Sequence, residues 1–204
     1  MANHVYNYLM VYGNDAALAK LAEINSRCDP DQDDASFLHY NRKNMPDPNE
    51  HDYNYEWYLN EVGAKWAIWE SSDKDSITIT SAWGGVIPLA TAISKEIAEA
   101  DPNAYITMSC EDEMPNWFGV YVFHSGQLYD MSEWDYDNLV ERAKTDFSQL
   151  QTEENVDWSE EQVDFFNDVI YEVMQDMQDA DMTDITKALE YEIDQTVNAH
   201  CVGC

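Results

Sequence analysis

Apolar and polar positions alternate at two different periods along the first two thirds of the chain. Residues 5–12 form a compact run rich in Tyr, Leu and Val that ends at Gly13-Asn14-Asp15, which predicts a strand closed by a turn. A helix should follow, because Asn14 or Asp15 can cap it. Its buried face is marked at helical spacing by Leu18, Leu21 and Ile24.

The same reasoning predicts further elements up to about residue 131. Residues 26–55 are polar and contain three prolines, so they predict a long loop with one short strand near 37–40. The remaining predictions are a strand at 76–83, a helix from Pro88 to about Ala100 that buries Ile93 and Ile97, and strands at 105–110, 117–124 and 127–131. The order β-α-(β)-β-α-β-β predicts an α+β fold, with helices on one face of a largely antiparallel sheet.

The chain after residue 134 has a purely helical pattern. Helices are predicted over 136–150, over 159–179 behind the capping-box pattern Ser159-Glu160-Glu161-Gln162, and from Thr183 onward, with Thr183 as the N-cap. The division is therefore 1–134 for the α+β domain and 135–204 for an acidic, all-helical C-terminal region. The Met and aromatic stripes of these helices are interpreted as core.

Net charge changes the functional picture more than any motif does. The 204 residues hold 41 Asp and Glu against 10 Lys and Arg, a formal charge of −31 at pH 7. Such a chain repels phosphates and anionic lipid, which argues against direct nucleic-acid or membrane binding and favours a basic protein or a cation as partner. No apolar run reaches the roughly 18 residues of a membrane span, and no signal-peptide pattern opens the chain, so a cytoplasmic setting is expected.

The acidic residues are concentrated and regularly spaced in the predicted middle helix of the C-terminal region. No Lys or Arg occurs between Lys144 and Lys187, whereas 13 Asp and Glu do. Five of them recur every fourth residue, which places successive carboxylates about 6 Å apart along a helix axis. This carboxylate ladder comprises Glu160, Asp164, Asp168, Glu172 and Asp176. It resembles a phosphate backbone in charge and pitch, which predicts a surface that imitates nucleic acid and binds a basic groove.

Three other interpretations of the acidity stay open from the residues alone. The ladder can be a strongly solvated helix face, or the whole surface can be adapted to high salt. Calcium binding is the third, since Asp29-x-Asp31-x-Asp33 and Asp179-x-Asp181-x-Thr183 resemble the start of a calcium loop. Both lack the glycine that such a loop needs at its sixth position.

Candidate metal, cofactor and catalytic motifs are sparse. His200, Cys201 and Cys204 offer soft ligands that could bind zinc with a further cysteine, although a second Cys-x-x-Cys pair is missing. No phosphate-binding glycine loop, nucleophile elbow or His-Glu-x-x-His helix is present. We therefore expect no cofactor and no enzymatic activity.

Tryptophans provide a second kind of candidate surface. Trp57, Trp66 and Trp83 belong to an aromatic-rich stretch of the α+β domain, where such residues usually serve the core. Some of them could instead form the apolar centre of a protein interface. An aromatic patch would then supply binding energy while the acidic field steers a basic partner, or a second copy of the chain, toward it.

Short spaced motifs bring a family resemblance into view over roughly residues 1–131. The opening Met1-Ala2-Asn3-His4-Val5-x-Asn7-x-Leu9-x-Val11-x-Gly13, the later Gly63-Ala64-Lys65-Trp66, and Thr80-Ser81-Ala82-Trp83 followed by Pro88 resemble the YubB-type ferredoxin-like domain. That family occurs in open reading frames of bacteriophages and conjugative plasmids. The resemblance implies a ferredoxin-like fold and a phage or plasmid setting, without an established chemistry.

Together these observations favour a phage- or plasmid-encoded, non-enzymatic inhibitor in the host cytoplasm. It would mimic nucleic acid and block a basic host protein that handles nucleic acid, in an anti-defence or host-takeover role. The alternatives are an acidic, salt-adapted phage protein with a structural or accessory role, and a protein that binds calcium or zinc.

Overall fold

The structure is a computed structural model that describes residues 3–26, 56, 58–113, 116–146 and 160–202. Side chains are described within these ranges except for 143–146, 160–167 and 196–202. The strands are β1 (His4–Tyr12), β2 (Ala67–Ser72), β3 (Ser76–Ala82), β4 (Tyr105–Asp112), β5 (Trp117–His124) and β6 (Gln127–Asp135). The helices are α1 (Asp15–Asn25), α2 (Ile87–Ala100), α3 (Tyr136–Asp146) and α4 (Glu160–Val202), with a π-helical turn at Tyr58–Val62.

All six strands form one antiparallel sheet in the order β2-β3-β1-β4-β5-β6. The predicted antiparallel sheet is confirmed, and so is the strand predicted after Gly126, which extends to Asp135. Strand β2 was not predicted, because residues 57–69 carry aromatic residues with no clear period. The short strand predicted near 37–40 lies outside the described residues.

Both helices of the first region form where the sequence signals predict them. The side chain of Asn14 caps α1 by accepting hydrogen bonds from the backbone N–H groups of Ala16 and Ala17. Pro88 stands in the first turn of α2, where its missing N–H costs nothing. The apolar faces pack as expected, with Leu21 and Ile24 of α1 and Ile93 and Ile97 of α2 buried.

The inner face of the sheet is the face that α1 and α2 cover. Alternate residues of β1 point to it and are almost fully buried, namely Val5, Asn7, Leu9 and Val11. Their cross-strand neighbours Ile77 and Ile79 in β3 and Ile106 and Met108 in β4 complete the main core. Period-two alternation in β1 thus fixes which side chains meet the helices.

The outer face carries the long helix α4 on one half only. Phe118 and Val122 of β5 point outward and are buried, Phe118 in a cluster with Val169, Ile170 and Val173 of α4, and Val122 in a second one with Leu189. Strand β5 is therefore buried on both faces, which explains its almost continuous apolar sequence.

The C-terminal region differs from its prediction in one respect. A single helix, Glu160–Val202, replaces the two helices expected on either side of Thr183. The region between them contains no Gly or Pro, so nothing interrupts the backbone hydrogen-bond ladder. Thr183 is an exposed residue inside this helix and not its N-cap. The boundary predicted at residue 134 falls at the end of β6.

Candidate protein-interaction surface

The described part of the carboxylate ladder is exposed to solvent, as the helical spacing predicts. Asp168, Glu172 and Asp176 are exposed on α4. Glu160 and Asp164 belong to the same helix, but their side chains lie outside those described. An α-helix turns by about 100° per residue, so a row of every fourth residue winds round the axis by about 40° per step. The ladder is therefore a shallow spiral and not a straight line.

A longer and straighter set of carboxylates emerges from the same helix geometry. Six of the carboxylates whose side chains the structure describes fall within a sector of about 80° around the axis of α4 and extend over about 39 Å. We call this set the acidic stripe: Asp168, Glu172, Asp176, Asp179, Glu190 and Asp194. Lys187 borders the stripe, only about 20° outside the sector. The spacing of four found only the first three members, because the row reaches Ala180 after Asp176.

Two contacts show which way the acidic stripe faces. The hydroxyl of Tyr105 in β4 donates to Glu190 Oε1 at 2.6 Å, so this member of the stripe borders β4. On the opposite flank, the indole N–H of Trp134 in β6 donates to Asp181 Oδ2 at 2.8 Å. Glu190 therefore lies on the flank of α4 that borders β4, whereas Asp176 lines a cavity with Trp134 and Asp181 on the opposite flank, so the acidic stripe passes from one flank of α4 to the other.

One cation approaches the ladder from a neighbouring helix. Arg142 of α3 and Asp176 of α4 line the same cavity, of about 540 Å³, between these two helices. The sequence shows no Lys or Arg among the ladder residues themselves, and the tertiary structure supplies this one from α3. The electrostatic field is thus partly offset at the Asp176 end of the described ladder.

Beyond β4, the outer face is open and aromatic. Tyr6, Tyr8 and Tyr12 alternate with the buried residues of β1 and are 43%, 43% and 40% exposed. Ile68 of β2 is 46% exposed, and its strand partner Thr80 is also that of Tyr6. Trp66 packs edge-on against His4, with ring centroids 5.4 Å apart. We call Tyr6, Tyr8, Tyr12, Trp66 and Ile68 the open aromatic face.

Glu111 lies at the boundary between the open and the covered half of the outer face. In the sheet register Glu111 of β4 stands between Tyr6 on the open side and Phe118 on the covered side. It forms no hydrogen bond or ion pair with another described residue. Burial raises the pKa of this carboxyl above its ordinary value, because desolvation disfavours the charged form.

Tyr105 links the open aromatic face to the acidic stripe. Its ring stacks on Tyr12 with centroids 4.9 Å apart and planes 12° apart, while its hydroxyl donates to Glu190. Burial and then the hydrogen bond to Glu190 raise the pKa of Tyr105 well above its ordinary value, so the phenol stays protonated. The two surfaces are consequently in direct contact through one residue.

Of the three tryptophans predicted as an aromatic interface, the structure places only one in the open aromatic face. Trp66 joins the open aromatic face, and Trp83 is 56% exposed with the Lys65 ammonium 4.5 Å from its ring centroid. Trp83 also has a positive φ of 70°, a conformation that a bulky residue rarely adopts. Trp57 lies outside the described residues. The tyrosines of β1 were missed, although their alternation with Val5, Leu9 and Val11 was a readable signal.

The motifs that carry the family resemblance converge on a polar junction beneath α2. The buried Asn7 amide donates to Val5 O, Ile79 O and Ser81 Oγ, and its oxygen accepts from the N–H of Val86 at 3.1 Å. The Cys110 thiol also points to this oxygen, at 3.2 Å. Burial raises the pKa of that thiol, which makes it a poor nucleophile.

Two glycines let the chain close tightly around this junction. Gly63 has a φ of +97°, and a Cβ there would lie 2.6 Å from Pro88 and 2.8 Å from the Gly85 oxygen. A Cβ on Gly85 would lie 2.9 Å from the Cys110 sulfur. The junction adjoins a cavity of about 540 Å³ whose lining includes Tyr121 and Glu133. All of these contacts are internal, so the motif residues have a structural role here.

The candidate metal sites find no support where they can be examined. Within the described part of the chain, no three His, Cys, Asp or Glu side chains are grouped as metal ligands. The calcium-loop interpretation of Asp179-x-Asp181-x-Thr183 is wrong, because these residues are helical and a calcium loop must turn sharply. The Asp29–Asp33 loop and Cys204 lie outside the described residues, as do the side chains of His200 and Cys201.

Comparisons with known proteins add no identification. The chain matches no protein-family model, no curated protein and no solved structure. Among the described residues, no helix is both long enough and apolar enough to cross a membrane.

Proposed function

We propose that this chain is a phage- or plasmid-encoded, non-enzymatic inhibitor that imitates nucleic acid. It occupies the basic groove of a host protein that handles nucleic acid, in the host cytoplasm. The observation that carries the proposal is the acidic stripe, which places six carboxylates within one sector of α4 over about 39 Å. A basic groove that binds phosphates attracts such a row through the same long-range field.

The arrangement of the sheet supports the phage or plasmid setting. Strands β2-β3-β1-β4 with α1 and α2 on one face have the β-α-β-β-α-β order of ferredoxin-like domains. This agrees with the fold that the resemblance to the YubB-type family implies. On this view β5 and β6 extend the domain and provide the seat for α4.

Repulsion between the exposed carboxylates indicates that the stripe serves an interaction and does not stabilise the helix. Like charges three or four residues apart destabilise a helix, and Asp168, Glu172 and Asp176 are three such residues in succession. The apolar contacts of α4 with β5 hold the helix in place despite this repulsion. Asp168, Glu172 and Asp176 stay exposed to solvent on this helix.

The experiment compares capture of basic proteins by the full chain and by two charge-matched variants. The immobilised protein is exposed to nuclease-treated bacterial lysate at low salt, and bound proteins are eluted with a short DNA duplex. One variant carries Asp168→Asn, Glu172→Gln and Asp176→Asn. The control carries Asp73→Asn, Asp75→Asn and Glu99→Gln, three exposed residues away from α4.

We expect the duplex to elute nucleic-acid-binding proteins from the wild type and from the control variant. The stripe variant should bind the eluted protein roughly tenfold more weakly or worse, because three steering charges are lost. Equal capture by both variants would show that total charge alone governs binding. That result, or elution of no nucleic-acid-binding protein, would refute the proposal.

A further inference from the structure

The open aromatic face brings several large, partly exposed side chains together on one side of the sheet. Three tyrosines of one strand and Ile68 of β2 are each between 40% and 46% exposed. Within the described residues, α4 covers β5 and leaves the tyrosines of β1 partly exposed on this side, while Thr80 of the neighbouring β3 is buried. Contiguous exposed patches of this kind mark interaction sites in proteins that stay soluble.

The border of this face holds a carboxylate that is unpaired among the described residues. Glu111 is only partly exposed and stands beside Tyr6 in the sheet register. It makes no hydrogen bond or ion pair with the described residues. A half-buried, unpaired carboxylate costs free energy in the isolated protein, and that cost is removed when a cation binds beside it.

The charge around the face also selects a cationic occupant. Glu190 of the acidic stripe reaches the face through Tyr105, which stacks on Tyr12. Glu113 lies at the other end of β1, 3.2 Å from His4. Tyrosine rings attract cations to their faces, so rings and carboxylates here favour the same kind of ligand.

We propose that the open aromatic face binds an arginine-rich segment of the basic partner. Guanidinium groups stack on Tyr6 and Tyr8, and one of them pairs with Glu111. Arginine fits better than lysine, because its planar guanidinium stacks on aromatic rings and binds a carboxylate with two parallel hydrogen bonds. This inference rests on the proposed function and adds the chemistry of the segment that is recognised.

The test measures binding of two fluorescent peptides of equal length, one of arginines and one of lysines, to the full chain. We expect the arginine peptide to bind about tenfold more tightly, from a few stacking contacts. The double variant Tyr6→Val, Tyr8→Val should lose this preference. The variant Tyr6→Phe, Tyr8→Phe keeps both rings and should retain it, which separates ring loss from misfolding.

Two single substitutions sharpen the test. Glu111→Gln should weaken the arginine peptide more than the lysine peptide, because only guanidinium makes the paired contact. Tyr191→Val removes the ring of a tyrosine that is 66% exposed on α4 and should change neither affinity. Equal affinity of the wild type for both peptides, or an unchanged preference in the valine variant, would overturn the inference.

The outcomes separate this inference from the proposed function. If the stripe variant weakens both peptides while the valine variant changes nothing, the acidic stripe binds the partner and the open aromatic face does not. If the wild type is a dimer that the valine variant dissociates, the face binds a second copy and the inference fails. If the stripe variant binds both peptides like the wild type, the proposed function loses its support.

Discussion

The two faces of the sheet differ in what covers them. On the inner face, α1 and α2 bury every alternate residue of β1, and the buried Asn7 has its hydrogen bonds satisfied inside the chain. On the outer face, α4 covers β5, whereas the tyrosines of β1 remain about 40% exposed. The inner face therefore specifies the fold, and the outer face is where a partner can add contacts.

The outer face also contains features that are unfavourable for the isolated chain. Glu111 is partly buried and has no partner among the described residues, and the carboxylates of the acidic stripe repel one another along α4. Proteins tolerate such features where they serve binding, since the partner supplies the missing counter-charge. This comparison predicts opposite responses to mutation on the two faces.

The largest expected difference is between two neighbouring residues of β1. Leu9→Ala should lower the free energy of unfolding by about 3 kcal/mol, because it leaves a cavity in the inner core. Tyr8→Ala should lower it by less than about 1 kcal/mol, since Tyr8 is 43% exposed on the outer face. Urea unfolding of both variants measures this, and similar losses would contradict the distinction between the faces.

A second pair of neighbours tests how α4 is held on the covered half. Ile170 and Tyr171 are neighbours in α4. Ile170 packs in the cluster with Phe118 and is 2% exposed, whereas Tyr171 is 47% exposed. Ile170→Ala should weaken the packing of α4 against β5 by about 2 kcal/mol. Amide hydrogen exchange should then become faster in α4, while the amides of β1 and β3 stay protected. Tyr171→Ala is the control and should leave exchange unchanged. Loss of protection throughout the sheet would show instead that α4 and the sheet unfold together.

Substitution of Glu111 should change the stability of the protein by a smaller amount that depends on pH. Its folded-state pKa is raised above the ordinary value of 4.5, so folding is favoured by protonation and this contribution is lost as pH rises through the folded pKa. Glu111→Gln should therefore stabilise the protein at pH 7 by less than about 1 kcal/mol. The gain should vanish below the ordinary pKa.

The measurement is thermal unfolding of Glu111→Gln between pH 7 and a pH below the ordinary carboxyl pKa. The control is Glu99→Gln, at an exposed position of α2. A stability difference that does not change with pH would mean that the glutamine acts through packing. A loss of stability at pH 7 would mean that the Glu111 carboxylate is favourably paired in the folded protein.

The smallest effect concerns the repulsion within the stripe. Neutralising Asp168, Glu172 and Asp176 together removes four like-charge pairs at spacings of three or four residues, namely 164–168, 168–172, 172–176 and 176–179, and should stabilise α4 by a few tenths of a kcal/mol per pair at low salt. The gain should disappear near 1 M salt, where screening acts within about 3 Å. Melting temperatures of the stripe variant and its charge-matched control, measured across salt, check this. If the melting temperatures of the wild type and of both variants all rose equally steeply with salt, the result would favour the salt-adaptation alternative.

The strands and helices that could be predicted are those whose sequence has a single clear period. Strand β1, helix α1 with a cap at Asn14 or Asp15, and helix α2 behind Pro88 follow from local signals alone, and the structure selects Asn14 as the cap. Strand β2 was missed because Trp66, Ile68 and Trp69 give an aromatic run without a clean alternation. The break expected at Thr183 was wrong, because a threonine that can cap a helix also fits inside one.

The part of the candidate site that could be predicted is the part with a regular spacing in the sequence. Asp168, Glu172 and Asp176 follow from a spacing of four, which helix geometry makes visible in the sequence. The role of Glu190 became apparent only from its contact with Tyr105, a residue 85 positions earlier in the chain. Glu111 gave no signal at all, since its isolation depends on Tyr6 and Phe118 standing on either side of it.

The sequence by itself determined the antiparallel α+β core, the helical C-terminal region and the excess of negative charge, because composition and local periodicity encode all three. The tertiary structure decided where α4 lies, that Glu190 of its acidic stripe borders β4, and that the tyrosines of β1 are partly exposed beside it. These depend on which apolar surfaces bury each other across long distances in the chain. Local patterns do not specify that choice, since several pairings would bury similar apolar area.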